Sequence, residues 1–369
     1  MFDVVKCLLR SGYYYARFMG VINFDVDVRT GSLHWLMNSK VIHGFWSQAS
    51  YLHEYVFMAI LACRVLCIVF TIFTRWWQRR LYIRLVNSLQ RIAKERPQVM
   101  RLWRRGVIAK VVIITLSEVF QLILSLTALR GKFSFQLFFG LGILSAITAQ
   151  VDVIICQYYF ALLNIHGHYI LLNEELRQLL DETRSLETER RKGVYIIKCC
   201  ALADRLDVIA GTQYQLQRLI QQILNIFGLQ IMSMSFSYYM STVGLIYFTF
   251  SELRASTITF MWSYVGLAVM AVEFVFYFTD VHITVNVIYA VLKVHSLMLD
   301  LLSQHAVIAH RLDERLEAAF ESFQLQLALN PLKFSVLGLY TIKKPRLAAM
   351  GSSIVTNSLV LVQYDIQHF

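Results

Sequence analysis

The chain has 369 residues, of which 57% are hydrophobic and only 16% are charged, and its formal net charge is +11. A soluble globule of this size needs more polar surface, so the composition excludes a soluble protein and indicates a multi-spanning membrane protein. The chain contains three prolines and sixteen glycines and has no regularly alternating segments, which favours long helices over a β-barrel. The positive charge of a membrane protein relates first to orientation and anionic lipid, not to nucleic acid.

The N-terminal region is predicted to begin with a pre-membrane element. Residues 1–32 are basic, aromatic and amphipathic, which is typical of a helix that lies at the membrane surface. Residues 33–52 are a weak candidate span because they contain Asn38, Lys40 and His43 and few aliphatic side chains. From the residues alone, a span in this stretch is needed only if the N-terminus is cytoplasmic.

The strongest charge asymmetry follows the first clear span, residues 55–74. Residues 75–110 contain eleven Lys or Arg and one acid, Glu95. A short loop this basic between two spans is predicted to be cytoplasmic by the positive-inside rule. Residues 164–218, with eight basic and eight acidic residues, are predicted to be a cytoplasmic helical extension.

Two sets of leucines at helical spacing indicate that this extension has an apolar stripe that must pack against another element. One comprises Leu172, Leu176 and Leu179, and the other comprises Leu202 and Leu206. Residues 293–330 repeat the amphipathic pattern, which ends at the helix breaker Asn330-Pro331. Residues 293–346 as a whole are predicted to form a second cytoplasmic helical region that anchors the last span.

The chain has six clear spans. If successive spans cross the membrane in alternating directions from the cytoplasmic basic loop, the C-terminal tail, residues 365–369, lies outside the cell. The tail follows a last span that is predicted to cross the membrane outward. With residues 33–52 counted as the first transmembrane helix, the fifth and sixth lie within residues 219–292. The six spans are 55–74, 111–129, 133–163, 219–251, 255–279 and 347–364.

Ionisable residues inside the spans require an explanation, because a charge in the bilayer costs several kcal/mol unless it is paired or hydrated. These residues are Arg64, Glu118, Asp152 and Glu273. Ion pairs between helices and a polar ligand pocket both account for them. The candidate pocket residues are Glu118, Asp152, Gln157, Tyr238, Tyr239 and Trp262.

The last span, residues 347–364, is long enough to cross the membrane but contains many hydroxyl and amide side chains. Such a helix either packs closely against a neighbour or lines an aqueous path, and the residues alone leave both readings open. No phosphate-binding glycine loop, metal-ligand spacing or cluster of nucleophile, base and acid is found, so we predict neither an enzyme nor a cofactor or metal site.

The end of this span, Thr356-Asn-Ser-Leu-Val-Leu-Val-Gln-Tyr364, resembles the C-terminal signature of insect gustatory receptors: Thr-Tyr, five mainly apolar residues, then Gln-Phe. Thr356 and Gln363 stand at the family spacing, and Tyr364 is an aromatic in the Phe position. Asn357 replaces the family's tyrosine. Three further stretches also resemble the family, namely 27–32, 85–89 and 334–340.

The resemblance implies an all-α membrane protein with seven transmembrane helices, a cytoplasmic N-terminus and an extracellular C-terminus. It further implies a ligand-gated cation channel in the plasma membrane of chemosensory neurons, opened by a small-molecule tastant, such as a bitter compound. The channel would be a homo- or hetero-tetramer of related subunits around one pore lined by the last helix. The motif places the gate at Thr356, Val360, Gln363 and Tyr364.

Two other functions are weighed. A G-protein-coupled receptor is disfavoured because no Asp/Glu-Arg-Tyr follows the third span and because Asn330-Pro331 lies outside any span. A secondary transporter is disfavoured because the chain has neither duplicated halves nor paired Gly/Pro-broken helices.

Overall fold

The computed structural model describes residues 51–128, 135–186, 191–254, 264–306, 313–336, 340–341 and 344–368. The predicted pre-membrane segment, 1–32, and nearly all of the weak candidate span, 33–52, lie outside the described residues. The prediction of a helical membrane protein is confirmed, since the described part of the chain is almost entirely helix and includes long apolar helices.

Eight helices and a two-residue β-ladder make up the described part of the chain. The ladder pairs Ser335 with Thr341 and Val336 with Tyr340 in antiparallel register. In chain order the elements are α1 (Tyr51–Trp77), α2 (Arg79–Glu95), α3 (Val99–Ala128), α4 (Phe135–Ser185), α5 (Lys192–Arg254), α6 (Tyr264–Ala306), α7 (Glu314–Leu329), β1 (Ser335–Val336), β2 (Tyr340–Thr341) and α8 (Lys344–His368).

Three described helical segments are long and apolar enough to cross a membrane by length and composition. They are Met58–Trp77, Val99–Ile123 and Phe274–Ser303. The helices α4 and α5 are much longer than a bilayer is thick. Their 51 and 63 residues correspond to about 76 and about 95 Å of helix, so a large part of each projects beyond the membrane.

The helix α5 is the element around which the others pack. It contacts α1, α2, α4, α7 and α8, as well as β1. It contains no proline, and its stretch 219–251 has no charged residue, so neither a helix breaker nor a buried charge interrupts it.

The larger hydrophobic core lies in the projecting parts of α4 and α5, together with α6 and α7. Leu172, Leu176 and Leu179 of α4 are fully buried, and Leu202 and Leu206 of α5 belong to the same cluster. The predicted packing of the two leucine repeats is therefore confirmed. They pack within one hydrophobic cluster, which also includes residues of α6 and α7.

The predicted second helical region, 293–346, is interrupted at Asn330-Pro331, where the sequence predicts a helix breaker. The helix α7 ends at Leu329, directly before Asn330 and Pro331. Proline cannot continue the hydrogen-bond pattern of a helix, and the residue before it is biased towards extended backbone. The chain then runs extended into the β-ladder and enters α8 at Lys344.

Candidate functional site

A buried ion pair between α3 and α6 lies among the described transmembrane helices. Lys110 Nζ is 2.5 Å from Asp280 Oδ1 and donates a second hydrogen bond of 2.8 Å to Thr284 Oγ1. The hydroxyl group of Tyr238, on α5, donates to the other carboxylate oxygen of Asp280 at 3.3 Å. Three helices therefore meet at the Asp280 carboxylate.

Two further acidic side chains and an arginine lie beside this pair. Glu118 on α3 and Asp152 on α4 are within hydrogen-bonding reach of each other. Arg64 on α1 donates a hydrogen bond of 2.9 Å to Thr148 Oγ1 and is close enough for its charge to act on Glu118. We refer to these five charged residues as the central polar cluster: Arg64, Lys110, Glu118, Asp152 and Asp280.

A small cavity borders the central polar cluster. Its volume is about 30 Å³, and its walls include Arg64, Asp152, Tyr238 and Ser241. That volume corresponds to about one water molecule. An organic ligand can therefore enter only if the surrounding helices move apart, and polar groups from α1, α4 and α5 would then meet it.

The candidate pocket residues fall into separate places. Glu118, Asp152 and Tyr238 come together at the central polar cluster. Gln157 lies elsewhere, where its Oε1 accepts a hydrogen bond of 2.9 Å from Arg75. Tyr239 faces the last helix, as detailed below, and Trp262 lies outside the described residues.

The last helix, α8, has one face packed on α5 and another that the described helices leave uncovered. Ser358, Val362 and Asp365 are at least nine-tenths buried. Val360 is 54% exposed and Tyr364 is 48% exposed. Because residues two apart on a helix point about 200° apart, Val362 and Val360 lie on nearly opposite faces.

The buried face of α8 is held by hydrogen bonds from two tyrosines of α5. The Tyr239 hydroxyl group lies 2.9 Å from Ser353 Oγ and accepts a short hydrogen bond from Asn357 Nδ2. Two helical turns further along α5, the Tyr247 hydroxyl group donates to Asp365 Oδ1 at 3.2 Å. We refer to these contacts as the tyrosine clasp.

All four predicted gate residues lie on the uncovered side of α8. Thr356, Val360 and Gln363 are exposed and follow one another at spacings of four and three residues, so they form a single stripe. Tyr364 is exposed at the edge of this stripe.

Lys110 and Asp280 are site residues that were not predicted from the sequence. Lys110 was counted with the basic loop, although it is fully buried. Helical spacing was the available signal, because Trp103, Val107 and Lys110 share one face and all three are buried. Asp280 has no such signal, since its role depends on a partner 170 residues away.

Comparison with known proteins gives the same family over nearly the whole chain. The family model described as 7tm chemosensory receptor matches residues 35–368. Two similar proteins of Drosophila melanogaster are named "Putative gustatory receptor 59d" and "Putative gustatory receptor 36c". They are 34% and 31% identical to this chain, and each alignment covers 100% of both chains.

Solved structures resemble the fold at low sequence identity. The insect olfactory receptor OR5 from Machilis hrabei matches with a TM-score of 0.64 at 11% identity, covering 98% of this chain and 99% of that one. The same receptor in complex with eugenol matches with a TM-score of 0.63 at 13% identity and the same coverage. The family match over residues 35–368 and the identity to full-length gustatory receptors show that the chain belongs to the 7tm chemosensory receptor family, a family of receptors and not of enzymes.

Proposed function

We propose that this protein is a gustatory receptor that acts as a tastant-gated, non-selective cation channel, with α8 lining the pore of a homo- or hetero-tetramer. One observation is the main support for the proposal. The helix α8 is attached to α5 on one face and leaves a stripe of predicted gate residues uncovered on another. A stripe with Thr356, Val360 and Gln363 combines polar groups that interact with hydrated cations and an apolar side chain that blocks ions by dewetting.

The ligand site is proposed to form at the central polar cluster. The related OR5 receptor has been solved in complex with eugenol, which favours a small organic ligand here as well. The cluster contains three carboxyl groups and two cations. Because Glu118 and Asp152 hydrogen-bond to each other, one of them carries a proton and the charges of the cluster balance. We therefore expect a small polar ligand that donates and accepts hydrogen bonds, such as a bitter compound.

Two consecutive residues of α5 connect the proposed ligand site to the proposed pore. Tyr238 hydrogen-bonds to Asp280 in the central polar cluster, and Tyr239 hydrogen-bonds to Ser353 and Asn357 on α8. A ligand that draws Tyr238 away from Asp280 shifts or rotates this part of α5. The same movement acts on the tyrosine clasp and changes the orientation of α8.

The test is whole-cell current from a heterologous cell that expresses this chain alone, challenged with a panel of bitter compounds and sugars. We expect a cation current that develops without G-protein activation. We also expect the protein to reach the plasma membrane with its C-terminus outside the cell. The variant Gln363→Ala is expected to change conductance or open probability while surface expression stays normal, and Gln221→Ala, at an exposed position of α5, is the matched control.

Two results would contradict the proposal. A current in Gln363→Ala identical to that of the unmodified chain removes this residue from the gate. A response that requires a G protein would show that the protein acts as a G-protein-coupled receptor and not as a channel.

A further inference from the structure

An apolar groove lies outside the proposed ligand site, at the end of the molecule that contains the basic loop. Its volume is about 680 Å³, within the range of about 300–1,000 Å³ typical of small-molecule sites. The helix α2 forms one wall, and the start of α3, part of α4 and one residue of α5 form the others. The apolar lining includes Leu85, Leu89, Met100, Phe160 and Phe227.

Three residues that line this groove each have a buried polar atom without a hydrogen-bond partner among the described residues. These atoms are Trp103 Nε1, Gln157 Nε2 and Asn164 Oδ1. Trp103 and Asn164 are both more than nine-tenths buried. A buried polar group without a partner costs about 1–3 kcal/mol, so an occupant with ester or hydroxyl groups among its apolar atoms is favoured here over a pure hydrocarbon.

The rim of the groove carries one lysine among its lining residues, Lys94. Arg91 and Arg101 follow lining residues in the sequence and are exposed on the same basic helices, α2 and α3. Arg96 is already paired with Glu175 at 2.7 Å and is not counted with them. The rim therefore complements a negatively charged group on the occupant.

The groove opens close to the level of the lipid headgroups. The helix α1 ends with Trp76 and Trp77, which are 65% and 75% exposed, and exposed tryptophans are typical of the membrane–water interface. The helix α2 begins two residues after Trp77 and exposes Leu81 and Ile83 at its start. Its basic end is then on the side that the positive-inside rule assigns to the cytoplasm.

We propose that this groove binds an anionic phospholipid of the leaflet that the basic loop faces. One acyl chain lies between α2 and α4, the glycerol esters reach Trp103 and Gln157 once these side chains turn towards them, and the phosphate lies at Lys94. Phospholipid is the one occupant that combines an apolar chain, ester oxygens and a phosphate and is supplied by the membrane itself.

The test uses the full chain in phosphatidylcholine nanodiscs that contain a small fraction of lipid with a photoreactive acyl chain. The probe is phosphatidylserine in one sample and phosphatidylcholine in the other. Crosslinked peptides are then mapped by mass spectrometry. We expect labelling between residues 82 and 103 to be several-fold stronger with phosphatidylserine.

Two variants address the two parts of the site. Ala93→Trp fills the groove and is expected to lower this labelling at least fivefold, whereas Ala201→Trp, at an exposed position of α5, leaves it unchanged. Lys94→Gln is expected to reduce the preference for phosphatidylserine by half or more, with Lys333→Gln as its control. If Ala93→Trp does not fold, Ala93→Leu is the smaller substitution with the same purpose.

Equal labelling by the two lipids would overturn the anionic specificity. Labelling of a correctly folded Ala93 variant at the level of the unmodified chain would overturn the groove as the binding site. Neither result depends on channel activity, so the outcome is independent of the proposed function.

Discussion

Lys110 and Asp280 illustrate what a charged side chain requires inside this membrane protein. The lysine is fully buried and has a carboxylate, a hydroxyl group and the face of the Tyr159 ring around it. Removing both charges from such a pair is often tolerated, whereas removing one leaves the other buried and uncompensated.

We therefore predict that Lys110→Met destabilises the protein by about 3–5 kcal/mol and that the double variant Lys110→Met/Asp280→Leu recovers part of this loss. Thermal unfolding of the purified protein in detergent measures both effects. Lys333→Met, at an exposed position, is the control. A double variant no more stable than Lys110→Met alone would contradict the prediction.

His168, in the part of α4 predicted to be cytoplasmic, makes stability depend on pH. Burial and the nearby positive charge of Arg96 lower the pKa of His168 to about 4. Between pH 6.5 and 4 the unfolded chain binds a proton here that the folded chain does not. The free energy of unfolding is therefore unaffected by protonation of His168 above pH 6.5 and decreases as the pH falls from 6.5 towards 4.

We predict that His168→Leu reduces the loss of stability on acidification, by up to about 3 kcal/mol between pH 7.5 and pH 4. The measurement is the unfolding midpoint of both proteins across this range. The reference is the difference between the two unfolding midpoints at pH 7.5, where His168 is neutral in the folded and in the unfolded chain. Parallel pH profiles would show that His168 does not titrate on unfolding.

The tyrosine clasp is the feature of interest at the scale of the elements, because it attaches the last helix to α5. We predict that Tyr239→Phe weakens this attachment by about 1 kcal/mol, the usual contribution of one hydrogen bond. Faster amide hydrogen exchange in residues 353–365 is the direct measurement. Tyr214→Phe, an exposed position on the same helix, should leave the exchange unchanged. If α8 lines the pore as proposed, the variant also alters the open probability.

The close approach of α1 and α5 depends on Gly244. A Cβ atom at this position would collide with Ile60 Cδ1 and lie 3.3 Å from Val56 Cγ1. We predict that Gly244→Ala lowers the unfolding temperature, whereas Gly211→Ala, where a Cβ atom meets open space, raises it slightly through helix propensity. In an Ile60→Ala background, where the colliding atom is absent, Gly244→Ala should cost less stability than in the unmodified chain. A Gly244→Ala protein as stable as the Gly211→Ala protein would show that the helices adjust without cost.

At the scale of the whole molecule, periodic and uncharged stretches made the helical fold predictable. The leucine repeats of α4 and α5 and the break at Asn330-Pro331 are local patterns, and each is found where the sequence indicates. The meeting of Glu118 and Asp152 depends on how α3 and α4 are rotated towards each other, which no local pattern contains. The local sequence around a lysine near the end of a span, such as Lys110, does not distinguish a side chain that faces solvent from one that faces a buried carboxylate.

Because α5 is one unbroken helix, the protein is expected to be sensitive to insertions and deletions within it. One residue inserted within a helix rotates everything beyond it by about 100° and shifts it by about 1.5 Å. In α5 such an insertion between Leu216 and Tyr238 would turn either the leucine repeat away from α4 or both tyrosines away from Asp280 and α8. Single insertions and deletions in this stretch are therefore expected to prevent the protein from folding correctly.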